Sequence, residues 1–248
     1  MTAVLPARGR TAWSGPDRNW QLARLAVQSW YEPLSGLRVW GRDRVPATGA
    51  CVLAINHIGV LDPIQIGMAS PRTVDYMAKR ELFDVPGLRH VIAAFGAFSV
   101  RRGSSDRDAI RLARDRLRAE RCLGIFVEGT RQPTQAIGTV KPGAAMLALA
   151  EDVPVVPVCL QVHRRDRAAV HASVRLRGSP RVAFGAPLDL SRHGRNARGY
   201  RAAAAEIEAE LRNLRSFIAA AERVGSPVVA VPPAARPDPS AEVPDGRP

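Results

Sequence analysis

Residues 51–63, CVLAINHIGVLDP, run from five apolar-rich positions into an Asn-His pair and end on Asp62 and Pro63. This spelling predicts a strand over 51–55 that stops at Asn56, then a turn, then a helix opening at Asp62. Proline is favoured at the first helical position, where its missing N–H would have no partner anyway. Asp62 is then expected at the cap, with Gln65 as its reciprocal partner. The corner also decides what His57 can do. In a continuous helix, residues five apart point roughly 140 degrees away from each other. Across a strand, turn and helix, His57 and Asp62 can meet. At the carboxyl end of a parallel strand, a histidine with a carboxylate on one ring nitrogen can take a proton from a hydroxyl with the other. The segment alone also fits a plainer pair, with Asp62 a cap and His57 a polar strand end.

Working outward, further runs rich in Val, Ile, Phe and Leu occur at 73–77, 97–101, 122–127, 155–162, 172–177 and 181–184. Helical patterns lie between several of them. After GSSD, Ser105 can cap and Asp108 close a capping box, with Ile110, Leu117 and alanines on one face. The Arg and Asp residues of that helix, three and four apart, read as a solvated face with local ion pairs. A second helix is expected after KPG, through AAMLALAED, stopping before the proline at 154. A third carries Tyr200, Ala204, Ile207, Leu211, Leu214 and Ile218 at steps of four and three. That seam can pack on the sheet or on another subunit, and packing within the chain is expected. The alternation predicts an α/β fold, a mixed and largely parallel sheet flanked by helices. Pro157, inside the apolar run 153–162, suggests a sheet edge or a bulge.

The chain of 248 residues fits one globular domain, over 41–224, with mobile tails at 1–18 and at the proline-rich 225–248. Cys51, Cys122 and Cys159 each sit in or beside an apolar run, as buried reduced thiols of a cytosolic protein do. No window approaches 18 consecutive apolar residues, and no secretion signal is visible, so a bilayer-spanning segment is not expected. The formal net charge of +13 suits nucleic acid or an anionic lipid surface and does not choose between them. Nearly all of it is arginine. Lys79 and Lys141 are the exceptions, which marks both as positions where a compact ammonium is wanted.

Three further blocks join the histidine segment: GAFSVRRG at 96–103, LGIFVEGTRQP at 123–133 and VPVVPVCLQV at 153–162. In this order the four resemble the motifs of the glycerolipid acyltransferases, the 1-acylglycerol-3-phosphate acyltransferase family. That family carries Asn-His, four spacer residues and Asp, an arginine-bearing second block, Glu-Gly-Thr-Arg, and a proline-containing apolar fourth. The resemblance reaches from about Val39 to Leu190 and takes in AKRELFDVPGL at 78–88 and KPG at 141–143. Two positions depart from it. Gly59 and Gln132 stand where the family commonly has serine.

The resemblance implies transfer of a fatty acyl group from a thioester, of coenzyme A or of acyl carrier protein, to the free hydroxyl of a lysophospholipid, most simply 1-acylglycerol 3-phosphate. His57 would be the general base and Asp62 its orienting partner. Arg101 and Arg131 are the expected phosphate ligands, because guanidinium meets phosphate oxygens two at a time. Arg102, adjacent to Arg101 in an extended segment, points the other way. Glu128 either binds acceptor hydroxyls or positions Arg131, with Gly129 and Thr130 completing the block. Lys79 and Lys141 fit roles near a phosphate or the acyl donor. No metal or cofactor is implied, and no nucleophilic serine elbow is present. Two other readings stay open: a different lysolipid or glycolipid acceptor, or a non-catalytic basic protein that binds membrane or nucleic acid.

All four tryptophans, Trp13, Trp20, Trp30 and Trp40, lie within the first 40 residues. Over 19–40, Trp20, Ala23, Val27, Trp30, Tyr31 and Leu34 can share one helical face. Such an amphipathic segment, with Arg24, Arg38, Arg42 and Arg44 beside it, suits an anionic membrane interface on the cytoplasmic side, as in a peripheral or monotopic protein. A helix packed on the sheet by its aromatic residues is the other reading. Nucleic acid is not the expected partner, since it leaves the ordered motifs unexplained.

Overall fold

The computed structural model describes Ser29, Tyr31 and residues 35–79, 83–84, 97–100, 106–132, 134–162 and 179–224. The expected strand at 172–177, Ser105, both tails and the tryptophans at 13, 20 and 30 lie outside these residues. Among the described residues seven strands form one sheet: β1 Arg38–Trp40, β2 Cys51–Ile55, β3 Val74–Lys79, β4 Ala97–Val100, β5 Cys122–Phe126, β6 Val155–Val162 and β7 Pro180–Phe184. Among the described residues four α-helices accompany them: α1 Asp62–Ala69, α2 Asp106–Arg118, α3 Gly143–Glu151 and α4 Ala197–Val224. The sheet order is β1-β7-β6-β2-β5-β3-β4, and every neighbouring pair is parallel except β6 with β7. The mixed, largely parallel sheet expected from the alternation is present.

The centre of the sheet is buried on both faces, which is why β2 and β6 read as near-continuous apolar runs. Side chains still alternate along each strand. Val52 and Ala54 of β2 join the core under α2, α3 and α4, while Cys51, Leu53 and Ile55 join the core under α1. The α4 seam packs on that first face: Ile207, Leu211 and Ile218 are fully buried and Leu214 nearly so. Each such side chain contributes roughly 1.5–3 kcal/mol. Asn196 caps α4, its Oδ1 accepting the N–H of Gly199 at 2.9 Å. Gly124 of β5 is required by a neighbour, since a Cβ there would stand 2.5 Å from the Tyr76 ring.

Three local expectations change. Pro157 is not at an edge, because β6 lies between β7 and β2. Its carbonyl accepts the N–H of Gly185 at 2.8 Å, so its missing donor faces the point where β7 has ended. Beyond it, Val158 faces Phe184 while Val155 bridges Leu188, three positions along β6 against four along its neighbour. The extra residue of that bulge is in the segment that follows β7, not in β6.

The arginines of α2 are not only a solvated face. Arg111 pairs locally with Asp108 at 3.4 Å, but Arg114 and Arg118 reach Glu151 of α3, and Arg116, together with Arg121 just after the helix, reaches the buried Asp75 of β3. Trp40 belongs to β1, buried edge-on against Phe217 with ring centroids 5.9 Å apart. It is core, so the segment expected to meet membrane does not reach residue 40. Tyr31, also assigned to that apolar face, is half-buried and hydrogen-bonded to Gln65 and Ser35.

All three thiols are buried. Cys51 and Cys122 face each other across β2 and β5 with sulfurs 3.4 Å apart, a hydrogen-bond distance and not a covalent one. Burial pushes the Cys159 thiol up to about 12. A disulfide reagent at pH 8 should therefore titrate none of the three within minutes in the native protein and all three in denaturant. A fast-reacting native thiol would contradict this burial.

Candidate active site

The carboxyl ends of β2 and β5 meet at one point. Val127 N–H continues the ladder to Ile55 C=O at 3.0 Å, so His57 and Glu128 emerge side by side. Asn56 is fully buried and extends β2 toward β6 with its side chain: its amide donates to Leu160 C=O at 2.9 Å and accepts Leu160 N–H at 2.7 Å. The strand thus stops pairing through its backbone where His57 begins, and the chain is free to turn.

That turn is built on one carboxylate oxygen. Asp62 Oδ2 lies 2.7 Å from His57 Nδ1 and accepts the N–H groups of Ile58 at 2.7 Å and Gly59 at 2.9 Å. Asp62 is therefore not the helix cap expected from the sequence. Leu61 holds that position without a side-chain cap, Asp62 is the first residue of α1, and its carboxylate faces backward into the turn. Gln65 is correspondingly not its reciprocal partner and instead reaches Tyr31. A carboxylate in its ionised form only accepts, so in the neutral imidazole that faces it with an Nδ1 proton, Nε2 keeps the lone pair. The Asp62 side chain is 2% exposed and that of His57 21%, which leaves the ring open on one side. Phe126 stacks on the imidazole, centroids 4.2 Å apart and planes 28° from parallel.

The His57 backbone is held as firmly as its ring. Its N–H donates to Glu128 Oε2 at 2.8 Å and its C=O accepts the N–H of Gln132 at 2.6 Å. The other Glu128 oxygen accepts the N–H of Gly138 at 2.6 Å. Between these contacts Gly129 turns the chain with φ +70°, a conformation that favours glycine. A Cβ on Gly129 would sit 2.6 Å from Lys141 Nζ, so that ammonium lies over the turn. Thr130 and Arg131 stand exposed beside it.

The structure therefore brings together His57, Asp62, Glu128, Gly129, Thr130, Arg131 and Lys141. Arg101 and Arg102 lie outside the described residues, as do His90, His163 and His171. Lys79 ends β3 at the same edge of the sheet, with only its backbone described. His193 is structural, its Nε2 2.8 Å from Glu206 Oε2. Sequence reasoning missed Phe126, the Asn56 bridge and the Gln132 backbone contact. The Asn directly before the histidine, at the end of an apolar strand, was the available signal for the second. Among the described residues no three His, Cys, Asp or Glu side chains gather as a metal-ligand set.

A 1-acyl-sn-glycerol-3-phosphate acyltransferase of Bacillus subtilis (strain 168) is 32% identical over 127 residues, 51% of this chain and 63% of the relative. A human 1-acyl-sn-glycerol-3-phosphate acyltransferase beta is 30% identical over 132 residues, 50% of this chain and 46% of its own length. The match thus spans less than two thirds of the length of either relative. The crystal structure of the 1-acyl-sn-glycerophosphate (LPA) acyltransferase PlsC from Thermotoga maritima shares the fold, with a TM-score of 0.58 at 21% identity over 83% of this chain and 86% of that one. The sequence model of the Acyltransferase family matches residues 36–161, from the residue before Leu37 to Gln161 of β6, and so spans every block of the site: the chain belongs to the Acyltransferase family.

Proposed function

We propose that the protein transfers a fatty acyl group from a coenzyme A or acyl carrier protein thioester to the free hydroxyl of a lysophospholipid, with 1-acylglycerol 3-phosphate as acceptor and phosphatidic acid as product. The observation that carries this reading is His57 at the end of β2, with Asp62 on Nδ1, the ring partly exposed, and Nε2 without a partner among the described residues. The acceptor hydroxyl attacks the thioester carbonyl as Nε2 takes its proton. The tetrahedral intermediate then collapses to the new ester, and the departing sulfur receives that proton from the imidazolium. Asp62 stabilises the charged ring between the two transfers. No acyl-enzyme is needed, and the three buried thiols do not offer one.

Arg131 and Lys141 supply positive charge beside the base, where an acceptor phosphate would lie, and Arg101 and Lys79 are assigned to the same edge from the motifs. The wild type should consume acyl thioester only with a lysophosphate-bearing acceptor in a panel of lysolipids. Arg131→Ala should raise the acceptor KM by about 10- to 100-fold, the range of a charge-assisted hydrogen-bonded pair. The thioester KM should hold. A selective effect on the thioester would instead assign Arg131 to the donor's phosphates.

Lipid substrates place the enzyme on a membrane, and the net charge of +13 suits an anionic one. Among the described residues no helix is long and apolar enough to cross a bilayer. The proposed attachment is peripheral, on the cytoplasmic face, through the tryptophan-bearing residues that precede the sheet.

A further inference from the structure

We infer that Glu128 is a positioning residue for His57 and touches neither the acceptor nor Arg131. The inference rests on the acyl-transfer reading for its kinetic arm and for the choice of sn-glycerol 3-phosphate as probe.

Both oxygens of this carboxylate are already engaged by backbone. Oε2 accepts the His57 N–H at 2.8 Å and Oε1 accepts the Gly138 N–H at 2.6 Å. The residue is 4% exposed, so an acceptor hydroxyl would reach it only by displacing one of these donors. Among the described residues no ion pair joins it to Arg131, which stands exposed. A buried carboxylate satisfied by two backbone amides is expensive to desolvate, and fixing those two amides is what it accomplishes here.

What it fixes is the origin of the catalytic side chain. Glu128 holds the N–H of His57, and Gln132, four residues on, holds its C=O. With the peptide groups on both sides tied to one loop, the direction of the Cα–Cβ bond is set before Asp62 or Phe126 acts on the ring. Only the remaining torsions are left for them. Glu128 also reaches Gly138, so the loop is closed on itself by the same side chain. The base is therefore aligned through the segment that carries Arg131 and Lys141. A carboxylate is required for this, because a glutamine amide can accept one of the two N–H groups well but turns its own NH2 toward the other.

The test compares Glu128→Gln and Glu128→Asp with the wild type in two readouts. In steady-state kinetics, kcat should fall on the order of 10- to 100-fold in Glu128→Gln, the scale of a misplaced catalytic group. Both KM values should stay within about twofold. In NMR of histidine-labelled protein, the His57 Nδ1–H resonance should shift or broaden in Glu128→Gln. Glu128→Asp, which keeps the charge, should recover part of both. A raised acceptor KM at unchanged kcat, with the His57 resonance in place, would overturn the inference and return Glu128 to acceptor binding.

If Glu128→Gln fails to fold, the wild type still decides. The Glu128 carboxyl carbon resonance should not move when sn-glycerol 3-phosphate, the head group of the proposed acceptor, is titrated in, and a saturable shift would refute the inference. The NMR arms do not depend on turnover. A wild type inactive with every acceptor would therefore count against the proposed function and leave the positioning role to be judged by the resonances.

Discussion

His57→Ala should lose acyl transfer by about 100- to 10,000-fold, the usual contribution of a positioned general base. Its thermal unfolding should stay close to that of the wild type. Both halves of that expectation come from geometry. The ring is 21% exposed and packs on one face, against Phe126, so its removal leaves a shallow solvent-facing gap and not a closed cavity. The hydrogen bonds that hold the segment in place are made by the His57 backbone, to Glu128 and Gln132, and they survive the substitution. Asp62 keeps the N–H groups of Ile58 and Gly59, so its charge is not left without donors. A thioester-consumption assay with 1-acylglycerol 3-phosphate, run beside a circular-dichroism melt, checks both. A folded His57→Ala protein with wild-type turnover would remove the general-base mechanism.

Much of this site is legible in the chain because the sheet is parallel and buried. β2 and β6 occupy the residues their apolar runs predict, 51–55 and 155–162, since a strand covered on both faces needs near-continuous apolar residues. Where the run ends in Asn56, or in Glu128 two residues past Phe126, a polar group has to find partners at the sheet's carboxyl edge, and the site is there. The failures have a common cause as well. Asp62-Pro63-x-Gln65 has the local spelling of a helix cap, but three donors on the preceding turn outcompete the helix N–H groups for the carboxylate. Pro157 has the spelling of an edge strand, but the missing donor falls opposite the end of a short neighbour. Arg114, Arg116 and Arg118 have local acidic neighbours in sequence and choose Glu151 and Asp75 from other elements. In each case a contact distant in sequence or backward along the chain overrides a local pattern, and a single sequence holds no record of it. Glu128 is the most consequential of these. Its motif position invites a role toward substrate, and only the structure shows both of its oxygens occupied by backbone.

Asp62→Asn isolates charge from geometry more cleanly than the histidine substitution does. An asparagine at 62 has one oxygen to offer, and three groups compete for it: His57 Nδ1–H and the N–H groups of Ile58 and Gly59, all within 2.9 Å of Oδ2. The two backbone donors cannot change their protonation, so they hold the amide oxygen in the Oδ2 position and turn the NH2 away. Nδ1 then keeps an acceptor, the imidazole keeps its tautomer and Nε2 keeps its lone pair. What is lost is the negative charge next to the imidazolium that forms when the acceptor proton is taken. At an effective dielectric near 20, one charge pair at contact distance is worth about 4 kcal/mol, of which solvent at the open face of the ring removes a part. The expected fall in kcat is therefore on the order of 100- to 1000-fold, with each 1.4 kcal/mol worth about tenfold. KM values should change little. Stability should change by no more than about 1 kcal/mol, because the backbone hydrogen bonds to the side chain remain. Turnover per folded molecule, with the folded fraction taken from a urea titration, is the deciding measurement. Undiminished turnover in Asp62→Asn would mean that the carboxylate serves only to shape the Ile58-Gly59 turn, and that His57 carries its proton without an electrostatic partner.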